Sequence, residues 1–104
     1  MFFAGVAKDK GLMDRIIELL RQCFQVEKSE LISISRRKSC HKARSLGMYL
    51  AHRLTGQTVA EIGEAFNRTE SAAIHAINQV AARLPQDLEL KNTVAYLTGQ
   101  LLQN

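Results

Sequence analysis

Tryptophan is absent from this chain of 104 residues, proline occurs once and cysteine twice. With Pro85 as the one residue that firmly breaks a helix, nearly the whole length is free to be helical. Cys23 and Cys40 are too few for a disulfide framework, and neither stands in a CxxC or Cys/His zinc spacing. Cys40 adjoins His41, but two neighbours do not make a metal site, so no metal is expected. Cys23 falls among apolar residues and is expected to be a small buried hydrophobe. These thiols fit a reducing cytoplasm. No stretch approaches the roughly 20 apolar residues of a membrane span. Met1 to Ala7 is too short for a signal-peptide core and has no basic segment before it. There is no GxxxxGK[ST] phosphate loop. No acid, base and nucleophile are grouped, since Glu61 reads as a helix cap and Glu64 has no nucleophile beside it. The expectation is a non-enzyme with no cofactor, no small-molecule substrate and no membrane partner.

The most telling absence is of acid. Residues 31–60 contain no Asp or Glu, yet carry Arg36, Arg37, Lys38, Lys42, Arg44 and Arg53. Net charge is only +4, but all ten acids lie outside this middle third. A cationic stretch of that kind suits a polyanion such as a DNA backbone.

What remains reads as a single all-α domain of about six helices over residues 1–104. Met13, Ile16, Ile17, Leu20, Cys23 and Phe24 recur at three- and four-residue steps, which predicts a helix over 12–24. A short helix follows at 29–32, capped by Ser29 or a neighbour, and Ser33 to Ser39 read as a loop. A third helix is predicted from His41 or Lys42 to Leu54, with Leu46, Tyr49, Leu50 and Leu54 inward and Gly56 closing it. Thr58-x-x-Glu61 is a capping-box pattern and starts a fourth helix that ends at Phe66 or Asn67. A fifth begins within 68–71 and points Ala73, Ile74, Ile77, Val80 and Leu84 inward. Pro85 stops it, and a last helix over 87–102 carries Leu90, Val94, Leu97 and Leu101 on one face. Tyr49 and Phe66 fall on these apolar stripes and read as core.

Two helices joined by a tight turn at about 58–84 describe a helix-turn-helix. The start of its second helix would offer Arg68, Thr69, Glu70 and Ser71 to base edges, with His75 further along. Thr58 would present free helix amides to phosphate.

The residues Ala43-Arg44-Ser45-Leu46-Gly47-Met48-Tyr49-Leu50, Leu54-Thr55, Glu61-Ile62-Gly63-Glu64-Ala65-Phe66, Arg68 and His75-Ala76 together resemble the C-terminal DNA-binding domain of the bacterial replication initiator DnaA family. Upstream, Glu30 to Ser33 and Arg36 to Ser39 have counterparts at the same offsets, so the resemblance covers residues 12–102. It implies a Trp-repressor-like helical domain that binds double-stranded DNA; the isolated domain is expected to be monomeric and to act in the cytoplasm, on the nucleoid. It also implies that Arg44 enters the minor groove, that Arg36 to Lys42 track phosphates, and that the recognition helix reads the major groove. The chain departs where that family has Gly-Gly-Arg-Asp-His-Thr-Thr. Here the run Asn67-Arg68-Thr69-Glu70-Ser71-Ala72 is one residue shorter and keeps only the arginine. The expected function is sequence-selective DNA binding with altered base-reading residues. The alternatives are a protein-interaction module of the same fold, or the C-terminal DNA-binding piece of a transposase-like protein.

Overall fold

The computed structural model describes residues 10–33 and 38–103. Helix α1 spans Lys10–Phe24 and buries Met13, Ile16, Ile17 and Leu20. Cys23, expected inside, is exposed. It sits at the edge of the arc that those four residues define, and Phe24 takes the next inward place. Gln25 adopts a left-handed φ of 54° that turns the chain into α2, Lys28–Leu31. The N-cap of α2 is Glu27 rather than Ser29, and the Glu27 amide donates to Glu30 Oε1 at 3.0 Å.

Helix α3 runs Lys38–Leu54, several residues longer at its start than the sequence pattern suggests. Lys38 and Ser39 are therefore helical, not loop. The polar start hides its anchors, because Cys40, Ala43 and Arg44 are all buried. From Ala43 to Ala51 every residue of α3 is buried, which makes it the central rod. A Cβ on Gly47 would lie 2.6 Å from Leu20 Cδ1 and 2.8 Å from Phe66 Cζ, so glycine there lets these two side chains close on the rod without shifting. Gly56, at φ +76°, ends the helix as expected.

Helix α4, Val59–Ala65, starts with the foreseen capping box. The Glu61 amide donates to Thr58 Oγ1 at 3.2 Å, and the Thr58 amide donates to Glu61 Oε1 at 2.9 Å. Helix α5, Glu70–Arg83, is capped by Thr69, whose Oγ1 accepts from the Ala72 amide at 3.1 Å. It buries Ala73, Ala76, Ile77 and Val80 against α3. Ile74, expected inward, is 42% exposed. The small Ala73 and Ala76 hold the inner face and set a helix rotation that turns Ile74 out. A 3₁₀ turn at Leu84–Gln86 leads through the Asp87 cap into α6, Leu88–Leu102. There Leu97 and Leu101 are buried, and Leu90 and Val94 pack partly buried. Arg15 of α1 donates to the Gln100 carbonyl at 3.0 Å. No strand occurs among the described residues.

Because Thr69 caps α5, Thr69→Ala is expected to cost about 1 kcal/mol. In a domain of this size that is a drop of roughly 4–8 °C in thermal midpoint by circular dichroism. Thr69→Ser should recover most of it.

Candidate nucleic-acid interface

The turn between α4 and α5 is fixed from both sides. Phe66 is fully buried and anchors it from below. Asn67 takes a φ of 57°, a left-handed conformation that asparagine tolerates better than most residues. The Arg68 amide then donates to the Gly63 carbonyl at 2.7 Å. Close approach makes glycine necessary at 63, since a Cβ there would meet the Arg68 carbonyl oxygen at 2.8 Å and that of Thr69 at 3.0 Å. The result is a helix-turn-helix with α5 projecting from a short, rigid turn.

The outer face of α5 exposes Glu70, Ser71, Ile74, His75 and Asn78. Glu70 stands in the first turn, where the helix dipole favours its charge. Its carboxylate can accept from a cytosine amine, and the Ser71 hydroxyl can donate or accept. Sequence reading missed Ile74 as a surface residue. The available signal was its place between Ser71 and Asn78 at helical spacing. An exposed branched side chain there can pack on a thymine methyl group. Thr69 is exposed too, but its hydroxyl is already committed to the cap.

The arginines are placed differently from the expectation. Arg44 is 5% exposed, and its guanidinium points into the protein. Its Nε donates to the Leu31 carbonyl at 2.7 Å, and its Nη2 donates to the Glu30 carbonyl at 3.1 Å. Burial, then the nearby Arg68 charge, pushes its pKa below the usual arginine value. Here the Nε and Nη2 donors of Arg44 are held by the open carbonyls at the end of α2, a placement other than the minor-groove one that the resemblance implies. Arg68 also folds back, donating from Nη1 to the carbonyls of Phe66 and Asn67 and from Nη2 to that of Ser33. The Asn67 side chain donates to the Ile32 carbonyl at 3.1 Å.

Lys38 is exposed at the start of α3. Lys42 is exposed as well, but it lines a cavity of about 100 Å³ with Phe24, Leu46, Gln79 and Arg83, beside the far end of α5. It is not gathered with residues 68–71. Thr58 has both its amide and its hydroxyl on Glu61, whose carboxylate repels a phosphate at that spot. Arg53 lies 5.7 Å over the Tyr49 ring. Arg36 and Arg37 lie outside the described residues. Among the described residues no three His, Cys, Asp or Glu side chains group to hold a metal, and no helix is long and apolar enough to cross a membrane.

The family described as "Bacterial dnaA protein helix-turn-helix" matches residues 13–80. The chain is 33% identical over 88 residues to the chromosomal replication initiator protein DnaA of Desulfotalea psychrophila, covering 85% of this chain and 18% of that protein. It is 31% identical over 93 residues to chromosomal replication initiator protein DnaA 2 of Chlamydia trachomatis, covering 89% of this chain and 20% of the relative. With the initiator protein DnaA of Geotalea daltonii it shares 34% identity over 80 residues, 76% of this chain and 18% of the relative. The chain thus spans about a fifth of the length of these relatives. On the match across α1 to α5, the chain belongs to the bacterial DnaA helix-turn-helix family.

Proposed function

We propose that this chain binds double-stranded DNA sequence-selectively, as a single copy and without catalysis of its own, on the cytoplasmic nucleoid. The observation that carries the reading is the exposed outer face of α5, held out on a rigid turn with Glu70, Ser71, Ile74 and His75 presented together. In this reading Glu70 and Ser71 meet base edges at the start of the major-groove helix, Ile74 packs on a thymine methyl group, and His75 contacts a base or phosphate. Lys38, with Arg36 and Arg37 before it, supplies phosphate contacts, and Lys42 adds to the positive field from the flank. Arg44, Thr58, Arg68 and Thr69 act from behind, by holding the elements in place.

Selection of bound duplexes from a random library, followed by fluorescence anisotropy on the enriched sequence, tests this. Lys38→Ala should weaken all duplexes alike and lower the salt slope by about 0.9, one phosphate's worth. Ser71→Ala should instead relax preference at one base position. An unenriched pool would defeat selectivity, and no retardation of any duplex at low salt would defeat binding. A protein-interaction role is the second reading, favoured by the exposed Leu88, Tyr96 and Leu102 of α6. It predicts a stoichiometric protein partner and no retarded duplex.

A further inference from the structure

Pro85, in the turn at Leu84–Gln86, keeps α5 and α6 from continuing as one rod. The start of α6 instead folds back beside the far end of α5, and residues of both helices line the cavity of about 100 Å³ with residues of α1 and α3. Each of the four helices contributes one apolar side chain to it: Phe24, Leu46, Val80 and Leu90. Leu46 and Val80 are buried and form the floor, whereas Lys42, Gln79 and Glu89 are exposed and stand at the mouth. The charges around the mouth are only partly matched. Arg83 Nη2 lies 3.3 Å from Asp87 Oδ2, and the other oxygen of Asp87 accepts from the Leu90 amide at 3.0 Å. Among the described residues, the Lys42 ammonium and the Glu89 carboxylate pair neither with each other nor with any third group. Exposed charges need no partner in water. A cation on α3 and an anion on α6 that both line one apolar cavity are a more specific arrangement, of the kind that orients a bound small molecule.

We propose that this cavity is a binding site for a small zwitterion with a branched aliphatic side chain, a free α-amino acid of the leucine type. Volume sets the size of the ligand. The cavity is about two-thirds of the roughly 150 Å³ that admits benzene, which suits a four-carbon branched chain and excludes a nucleotide or a fused aromatic ring. Charge sets its class. A plain carboxylic acid would be repelled by Glu89 and a plain amine by Lys42, whereas a molecule bearing both groups is attracted by both. In the bound state Lys42 holds the carboxylate, Glu89 holds the ammonium, and the side chain rests on Leu46 and Val80. The Gln79 amide at the mouth can donate to the carboxylate. Such a ligand touches α3, α5 and α6 at once, so its binding stabilises the docking of α6. The inference stands apart from the DNA-binding reading, since it needs no duplex.

Titration of the whole isotope-labelled chain with L-leucine, L-alanine and isocaproate, read by amide chemical shifts, tests the site. Leucine should move the amides of residues 42–46, 79–83 and 89–93, with a dissociation constant of roughly 0.1–1 mM. Alanine lacks three of the side-chain carbons and should bind roughly 10- to 50-fold more weakly. Isocaproate, which is leucine without its amine, should bind roughly 5-fold more weakly than leucine. Glu89→Gln should erase that difference by weakening leucine alone, and Lys42→Ala should weaken both ligands roughly 5- to 10-fold. Both substitutions fall on exposed side chains, so the circular dichroism of the variants should match wild type. No response to leucine at about 20 mM, well above the expected range, would overturn the site. Equal binding of alanine and leucine would also overturn it, because the apolar floor would then play no part. If Glu89→Gln still separates leucine from isocaproate, the zwitterion assignment fails. Shifts confined to other segments, or leucine binding indifferent to Lys42→Ala, would place the ligand elsewhere and overturn the proposal.

Discussion

Gly63→Ala is expected to destabilise the chain by about 3 kcal/mol, although alanine is the better helix former. Two effects of opposite sign compete at this position. Within a helix, glycine-to-alanine gains about 0.5–1 kcal/mol. Against that, the new Cβ would stand 2.8 Å from the Arg68 carbonyl oxygen and 3.0 Å from that of Thr69. Both are backbone atoms in a turn tied to Gly63 itself by a 2.7 Å hydrogen bond, so relief requires α4 and α5 to separate. Overpacking wins. Gly99→Ala is the control, because no atom lies within 4 Å of its added Cβ, and it should gain about 0.5–1 kcal/mol. Chemical denaturation of the two variants reads both signs, and equal midpoints would refute the close approach at the turn. The angle of α5 depends on that approach, so Gly63→Ala should also bind duplexes less well.

Arg44→Ala is expected to cost a further large amount, about 3 kcal/mol, before any DNA is added. The change leaves the buried carbonyl of Leu31 and the neighbouring one of Glu30 without their charged donor, and hydrogen bonds to charged groups contribute about 1.5–3 kcal/mol each. Arg44→Lys should recover only part of the loss, because one ammonium cannot reproduce the fork that serves two carbonyls. The lowered pKa of Arg44 means that burial and the Arg68 charge oppose its cationic form, and the carbonyl dipoles offset that opposition. The sign gives no pH step near neutrality, since the guanidinium is charged in both folded and unfolded chains there. A groove-reading arginine would behave the other way, with an unchanged thermal midpoint and lost affinity.

These two positions mark how far the sequence could be read. Local rules carried well: Thr58 and Glu61 announced the start of α4, and the three- and four-residue recurrence of Met13, Ile16, Ile17 and Leu20 announced α1. An apolar residue is not always an inward one. Cys23 and Ile74 are both small steps off their stripes, and the stripe centre is set by partners that only packing defines. The start of α3 was missed because Lys38 to Lys42 show no apolar period, although Cys40 is fully buried. Arg44 could not be read locally at all, because its partners lie 13 and 14 residues upstream and are backbone atoms with no signature in the side chains. The fold divides the members of the charge run. Lys38 and Lys42 face solvent, Arg53 lies over Tyr49, and Arg44 is interior.

Helix α6 shows the opposite balance. Of its fifteen residues only Leu97 and Leu101 are buried, while Leu88, Tyr96 and Leu102 are left exposed. Native-state opening is cheapest where few apolar side chains must be exposed, so α6 can peel away while α1 to α5 stay assembled. Its detachment would uncover Leu97 and Leu101 together with the faces of α1 and α3 they cover, offering a transient foothold for proteases or chaperones.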